Sequence, residues 1–228
     1  MNTYIQNLIS QGEHQTQDFK FCINDSRKIA KSLVAFANTD GGRLLIGVKD
    51  NGNIAGVRSE EEYYMVEAAA KIYSKPQINF ESKQWNIEGK SVLEIIINPG
   101  ADRPYYAKDE NGKWLAYFRR KDENILANGI MLEVWRKEKN REGILIRYSA
   151  REHILLDLLQ RYETVSLHHY AQQAHIPLFL ARKILINFIL LNIIKIDTSD
   201  KKICYKLNEK FDVQKWEEVA NKRVVIKK

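Results

Sequence analysis

The sequence predicts an α+β protein in two modules: a mixed α/β domain over residues 1–145 and a smaller helix-and-hairpin domain over residues 146–228. Three observations predict it. Residues 35–57, AFANTDGGRLLIGVKDNGNIAGV, run an apolar helix end into a strand, Arg43 to Val48, bracketed by two Gly turns. Residues 78–119 carry two hairpin signals, at Glu88-Gly89 and at Asn111-Gly112. From Ser149 the pattern becomes helix, short helix, turn, longer helix and hairpin, the order of a winged helix-turn-helix.

The elements of the first module follow from period and punctuation. Gln17 to Cys22 alternates like a strand. Ser26 to Asn38 places Ile29, Leu33, Val34 and Phe36 on one helical face and Arg27, Lys28 and Lys31 elsewhere, with Asp25 or Ser26 as cap. Ser59 to Ser74 reads as a helix whose first turn holds Glu60, Glu61 and Glu62, a favourable charge at a positive helix end. Ile78 to Asn86 pairs with Lys90 to Ile97, and Tyr105 to Lys108 with Trp114 to Arg119. Ile125 to Lys139 is read as a helix despite Gly129, and residues 140–149 as a connection.

In the second module, Arg151 to Tyr162 sets Ile154, Leu155, Leu158 and Leu159 on one face. Ser166 caps a short helix from Leu167 to Ala174. Pro177 suits the start of a helix from Leu178 to Leu191. Ile193 to Asp197 and Lys202 to Leu207 close a hairpin. On the long helix Leu180, Ile184, Phe188 and Leu191 form a stripe that leaves out Phe179, Ile186 and Ile189, an apolar surplus of the kind that marks a partner surface.

Composition narrows the classes. The 44% apolar content supports a packed core. Two isolated cysteines, Cys22 and Cys204, make neither a disulfide framework nor a metal cluster. The start of the chain lacks a signal-peptide pattern, and the longest apolar run, Ile184 to Ile196, is too short to span a bilayer. The expectation is a cytoplasmic protein with no membrane partner. Net charge is +7, with 21 basic against 20 acidic residues up to residue 145 and 15 against 9 after it. A basic rear half suits a polyanion, or simply a solvated surface.

Asp18 and Lys20, two apart on a strand, leave the same face; Glu13 lies just before them and Asp50 ends the central strand. Three carboxylates and a lysine suit a hard divalent ion and a scissile phosphate, though Asp-x-Lys is equally a surface pair. His168, His169 and His175 lack partners at ligand spacing and read as polar helix surface. Tyr105, Tyr106, Trp114 and Tyr117 read as cross-strand pairs, with base stacking as the other use. The Gly-x-x-x-x-Gly-Lys-Ser/Thr segment of ATP-binding loops is missing.

On Glu13, Asp18-Phe19-Lys20, the AFANTDGGRLLIGVKD core, Pro104-Tyr105-Tyr106 and Tyr117-Phe118-Arg119, residues from about 10 to 125 resemble the Schlafen-type AlbA-like domain, also described as divergent AAA. The resemblance implies an α/β nucleic-acid-binding fold, and in bacteria a following winged helix and a role in transcriptional regulation. In nuclease members three carboxylates cut RNA with a divalent ion, and by motif position these fall on Glu13, Asp18 and Asp50, with Lys20 beside them as a catalytic candidate. The family usually has Glu where this chain has Asp18. Animal nucleases pair two such lobes, whereas this chain has one and would dimerise to form a comparable cradle.

The expectation is a Schlafen AlbA-like domain followed by a winged helix-turn-helix, in a homodimeric DNA-binding regulator. Arg43, Lys49, Arg119 and Arg120 would hold phosphates in the first module, and Arg182, Lys183, Lys201 and Lys202 in the second. The alternative is an endoribonuclease using Mg²⁺ or Mn²⁺ on Glu13, Asp18 and Asp50; no cofactor is otherwise expected.

Overall fold

Leu44, Leu45 and Ile46 of the Gly-bracketed strand are all fully buried, because both faces of their sheet are covered. The computed structural model describes residues 3–57, 59–139, 144–145, 148–199, 202–213 and 225–226. The chain divides into two units, residues 1–128 and 129–228. The fold is mixed α+β.

The first unit runs α1 (Thr3–Ser10), β1 (Gln17–Lys20), α2 (Ser26–Asn38), β2 (Gly42–Ile46), α3 (Glu61–Lys71), β3 (Ser74–Lys75), β4 (Glu81–Ile87), β5 (Lys90–Ile97), β6 (Tyr106–Lys108), β7 (Trp114–Leu115), β8 (Tyr117–Arg120) and β9 (Glu123–Leu126). Its main sheet has the order β1-β2-β5-β4. β1 and β2 are parallel, with Asp18 level with Leu44 and Lys20 level with Ile46, so the chain must cross over between them through α2. β5 and β4 add antiparallel strands, closed at Glu88 and Gly89, both at positive φ.

Alternation along each strand divides the core. Phe19, Leu45 and Val92 pack with Ile5 and Leu8 of α1. Leu44, Ile46, Ile95 and Ile97 pack with Ile29, Leu33 and Val34 of α2 and Val66 of α3. Gln17, on the α1 side, donates to the Leu8 and Gly12 carbonyls at 2.7 Å each. Asp18 and Lys20 face α2.

The Asn38-Thr39-Asp40-Gly41-Gly42 turn anchors the rest of the unit to α2. Buried Asn38 donates to the Tyr105 and Tyr117 carbonyls at 2.9 and 2.8 Å and accepts from the Tyr105 N–H at 2.8 Å. Thr39 Oγ1 donates to the Ala35 carbonyl and accepts from the Arg119 N–H at 2.9 Å. Gly41 sits at φ 73°, and a Cβ there would meet the Ile97 carbonyl and Pro99 Cδ at 2.7 Å. The motif is therefore built for close backbone packing.

Two expectations need correcting in this stretch. Glu123–Leu126 does not begin a helix; it forms β9, antiparallel to β8. The next helix, α4 (Gly129–Glu138), starts at Gly129 instead of tolerating it, and its Ile130 and Val134 pack in the core of the second unit. The division between units thus falls at residue 128, whereas sequence texture put it at 145. Sequence texture follows loops, but the burial of one apolar face decides which body a helix joins.

The second unit continues with β10 (Ile144–Leu145), α5 (Ala150–Arg161), α6 (Leu167–Gln173), α7 (Leu178–Leu190), β11 (Ile194–Asp197), β12 (Cys204–Leu207) and β13 (Val225–Ile226). Ser149 caps α5 in a capping box with Glu152, and Ser166 caps α6. A four-residue turn with His175 at φ 51° sets α7 at a 114° bend from α6. β11 and β12 form an antiparallel hairpin, and β10 pairs with β13, a contact 80 residues apart in sequence that no local pattern announced. Ile186 is 1% exposed and Ile189 packs on the same core, so most of the apparent apolar surplus of α7 is interior. Among the described residues no single helix is long and apolar enough to cross a membrane.

Because Asn38 satisfies three backbone groups of the strands that follow, Asn38→Ala should orphan them. We expect a loss of about 2–4 kcal/mol in urea unfolding with an unchanged m value. A loss below about 0.5 kcal/mol would show that these bonds are replaceable by water.

Candidate nucleic-acid interface

The Glu13-to-Lys20 motif folds inward. Asp18 is 3% exposed, and its carboxylate is met by Lys20 Nζ at 3.0 Å, by Ser32 Oγ of α2 at 3.3 Å and by Arg119 Nη2 of β8 at 3.5 Å. Arg119 is 2% exposed. Its guanidinium also donates to Asn124 Oδ1 at 3.1 Å and to the Gln17 carbonyl at 3.1 Å, and lies over the Phe36 ring at 5.1 Å. Asn124 Nδ2 in turn donates to Ser32 Oγ at 2.9 Å. One ionic knot therefore joins β1, α2, β8 and β9.

Glu13 closes this knot from outside. Its Oε1 accepts the Phe19 N–H at 2.8 Å, and its carboxyl shares a hydrogen bond with Asp18. Partial burial and the neighbouring carboxylate push the Glu13 carboxyl up to about 7. For Asp18 the hydrogen bond from Glu13 and the charges of Lys20 and Arg119 outweigh burial and hold its carboxyl below the ordinary range.

Asp50 does not join them. At Gly47, φ 92°, the chain turns back so closely that a Cβ would meet the Gly56 carbonyl carbon at 2.9 Å. Val48 bridges Ile54, and Asp50 lies exposed in the intervening turn. Among the described residues no group of three or more His, Cys, Asp or Glu side chains is placed to hold a metal ion. Among the described residues Glu13, Asp18 and Asp50 are therefore not grouped to hold Mg²⁺ or Mn²⁺, and Lys20 pairs with Asp18.

The phosphate-binding candidates of the first unit separate by burial. Arg119 is removed from that role by its place in the knot. Arg43 pairs with buried Glu94 at 3.4 Å and donates to the Tyr4 hydroxyl at 3.0 Å, while Trp85 Nε1 donates to the same Glu94 carboxylate. Arg120 is largely covered and pairs with Glu123. Lys49 is exposed, with its ammonium 5.4 Å from the Phe21 ring centre.

The basic surface that the structure does assemble is different. A groove of about 330 Å³ runs between α2 and the turn after β6, lined by Arg27, Lys28, Lys31, Lys108 and Tyr117 and by Asp109, Glu110 and Asn111. Arg27, Lys28 and Lys31 occupy one helical face at i, i+1 and i+4. Lys31 Nζ lies 4.8 Å from the Tyr117 ring centre, and Lys108 Nζ 5.9 Å from that of Trp114, which is 39% exposed. Asp109 is occupied in its own turn, accepting the Asn111 and Lys113 N–H groups. The i, i+1, i+4 spacing was visible in the sequence; its meeting with Lys108 was not. Of the aromatic cluster, Tyr105 is buried as expected of a sheet residue, Tyr117 borders this groove, and Trp114 is exposed beside Lys108.

In the second unit Arg182 pairs with Glu133 at 3.7 Å, and Lys183 and Lys202 are exposed. Lys201 lies outside the described residues. Several other cations of this unit are matched locally, Lys206 by Asp197, Lys195 by Glu209 and Arg161 by Asp157. Even so, the corrected boundary concentrates the charge. Residues 1–128 hold 17 basic and 17 acidic residues, and residues 129–228 hold 19 and 12, so the whole net charge of +7 belongs to the second unit.

These features define an α+β domain whose Asn38–Gly42 turn is architectural and whose α2 groove is lined by basic side chains. The family model described as Schlafen, AlbA_2 matches residues 13–128, just over half of the chain and ending where the first unit ends. The chain belongs to that family. No curated protein matches it. Among solved structures it is similar to the DIP2311 protein from Corynebacterium diphtheriae, with 15% identity and a TM-score of 0.43 over 68% of this chain and 33% of that one. It thus spans about a third of that protein's length. It is also similar to the N-terminal domain of an ATP-dependent DNA helicase RecG-related protein from Nitrosomonas europaea, with 22% identity and a TM-score of 0.37 over 55% of this chain and 92% of that one.

The raised Glu13 carboxyl gives a pH test. Between its ordinary value of 4.5 and about 7 the folded chain keeps a proton that the unfolded chain has released, so stability falls as pH rises through that window. Glu13→Gln keeps a donor toward Asp18 without titrating. It should match the parent near about pH 4.5 and become the more stable of the two by about pH 8, measured by denaturant midpoints. Parallel profiles would refute the shared proton.

Proposed function

We propose that this protein is a DNA-binding regulator whose second unit is a winged helix-turn-helix and whose first unit adds a backbone-holding groove. One observation carries the reading: α6 and α7 meet at a 114° bend across a four-residue turn and are followed by an antiparallel hairpin, within the unit that holds the entire net positive charge. Helix pairs of this geometry present their second helix to the major groove, and uncompensated cations draw it there by counterion release. Lys183 and Lys202 would hold phosphates at the helix and at the hairpin.

The groove of the first unit supports the same reading. Arg27, Lys28, Lys31 and Lys108 follow a backbone-sized channel, and the neighbouring Tyr117 and Trp114 rings offer faces to unstacked bases. Family membership adds a nucleic-acid-related role for this unit. A single copy of the domain makes one wall of a cradle, so the reading takes the working form as a homodimer, which light scattering of the full chain would register as twice the mass.

Phosphate contacts make affinity fall with salt. Mobility-shift titration of the full chain with duplex DNA should lose roughly tenfold or more in affinity between about 50 and 200 mM salt. Lys28→Glu with Lys31→Glu should weaken binding by about tenfold, and Lys183→Glu by a similar factor, each lowering the salt slope. Binding that is absent, or insensitive to salt and to these changes, would overturn the proposal.

A further inference from the structure

Around the start of α7 the second unit exposes apolar surface where a protein of this charge has least reason to do so. Phe179 is 73% exposed and Leu178 46%, the former the most exposed of the large apolar side chains among the described residues. Neither is needed for the core: the buried face of α7 is already made by Ala181, Ile184, Leu185 and Phe188. Both rings and branches border a groove of about 670 Å³ shared with Leu167, Arg182, Lys183 and Lys137. Its one acid among the described residues, Glu133, is matched by Lys137 at 3.2 Å and by Arg182 at 3.7 Å.

Position and charge together choose the occupant. Phe179 and Lys183 are four residues apart and leave one helical face, just after the bend, in the half of α7 that a helix-turn-helix points at base edges. Cations beside an apolar side chain repel a second copy of the same surface and attract a polyanion. In a major groove the one apolar group on offer is the thymine 5-methyl, and Phe is among the side chains that meet it. We infer that Phe179 is a specificity-determining residue that reads thymine methyl groups in the major groove, while Lys183 holds an adjacent phosphate. This rests on the DNA-binding reading and deepens it.

The test removes the methyl rather than the site. The full chain is titrated with an alternating dA·dT duplex and with the same duplex carrying deoxyuridine in place of thymidine. The parent protein should prefer the thymidine duplex by roughly three- to tenfold, as burial of a methyl by an apolar side chain implies. Phe179→Ala should bind both duplexes alike, near the parent's affinity for the deoxyuridine duplex. Lys183→Ala should weaken both equally and keep the preference. Equal binding of the two duplexes by the parent, or a preference that survives in Phe179→Ala, would overturn the inference while leaving salt-dependent binding intact. So would a parent dimer that dissociates in Phe179→Ala, which would make this face a protein contact. Loss of all DNA binding in the parent would instead defeat the reading on which the inference rests.

Discussion

Arg119 carries a full positive charge into the interior of the first unit, where Asp18, Asn124 and the Gln17 carbonyl meet its two terminal nitrogens. An unpaired buried ion costs several kcal/mol, so the guanidinium binds the chain to a single solution: Asp18 on β1, Asn124 on β9 and the Gln17 carbonyl must all arrive together. Lys20 and Glu13 then balance Asp18 from its outer side. Strands far apart in sequence are thereby placed against α2, and the Asn38-Thr39 turn completes the same junction through backbone hydrogen bonds.

That constraint ties up the acidic motif within the fold, and among the described residues no three carboxylates are grouped to hold a metal ion. A hard cation needs carboxylate oxygens that are not already neutralised, and it needs them convergent. Asp18 is met by two cations and a hydroxyl, and Asp50 lies exposed in the turn that follows Gly47. Two of the residues that suggest hydrolytic chemistry by type, Asp18 and Lys20, are joined in an ion pair that also takes in Arg119. Exposed cations lie elsewhere, along the α2 groove and at Lys183 and Lys202 of the second unit.

Attachment of α4 to the second unit changes the meaning of α7. As read from sequence, α7 had more apolar residues than one buried face could use, which suggested a dimer surface. The additional packing in a core that includes Ile130 and Val134 places Ile186 and Ile189 inside and leaves only Leu178 and Phe179 outside. An apparent excess spread along a helix becomes a small patch confined to its first turn, beside basic side chains.

The sequence by itself determined the local elements with short-range causes: the caps at Asp25 and Ser166, the Glu88-Gly89 hairpin, the amphipathic α2, and the helix–turn–helix–hairpin order of the rear unit. These depend on periodicity, capping and positive φ, which neighbouring residues settle. Only the tertiary structure decided that Arg119 is interior, that Asp50 stands apart from Asp18, that Lys108 meets the basic face of α2, and that residue 129 opens the second unit. Each of those depends on which distant surfaces share a core or a charge. Desolvation and Coulomb attraction act through space, so spacing along the chain does not reveal their partners.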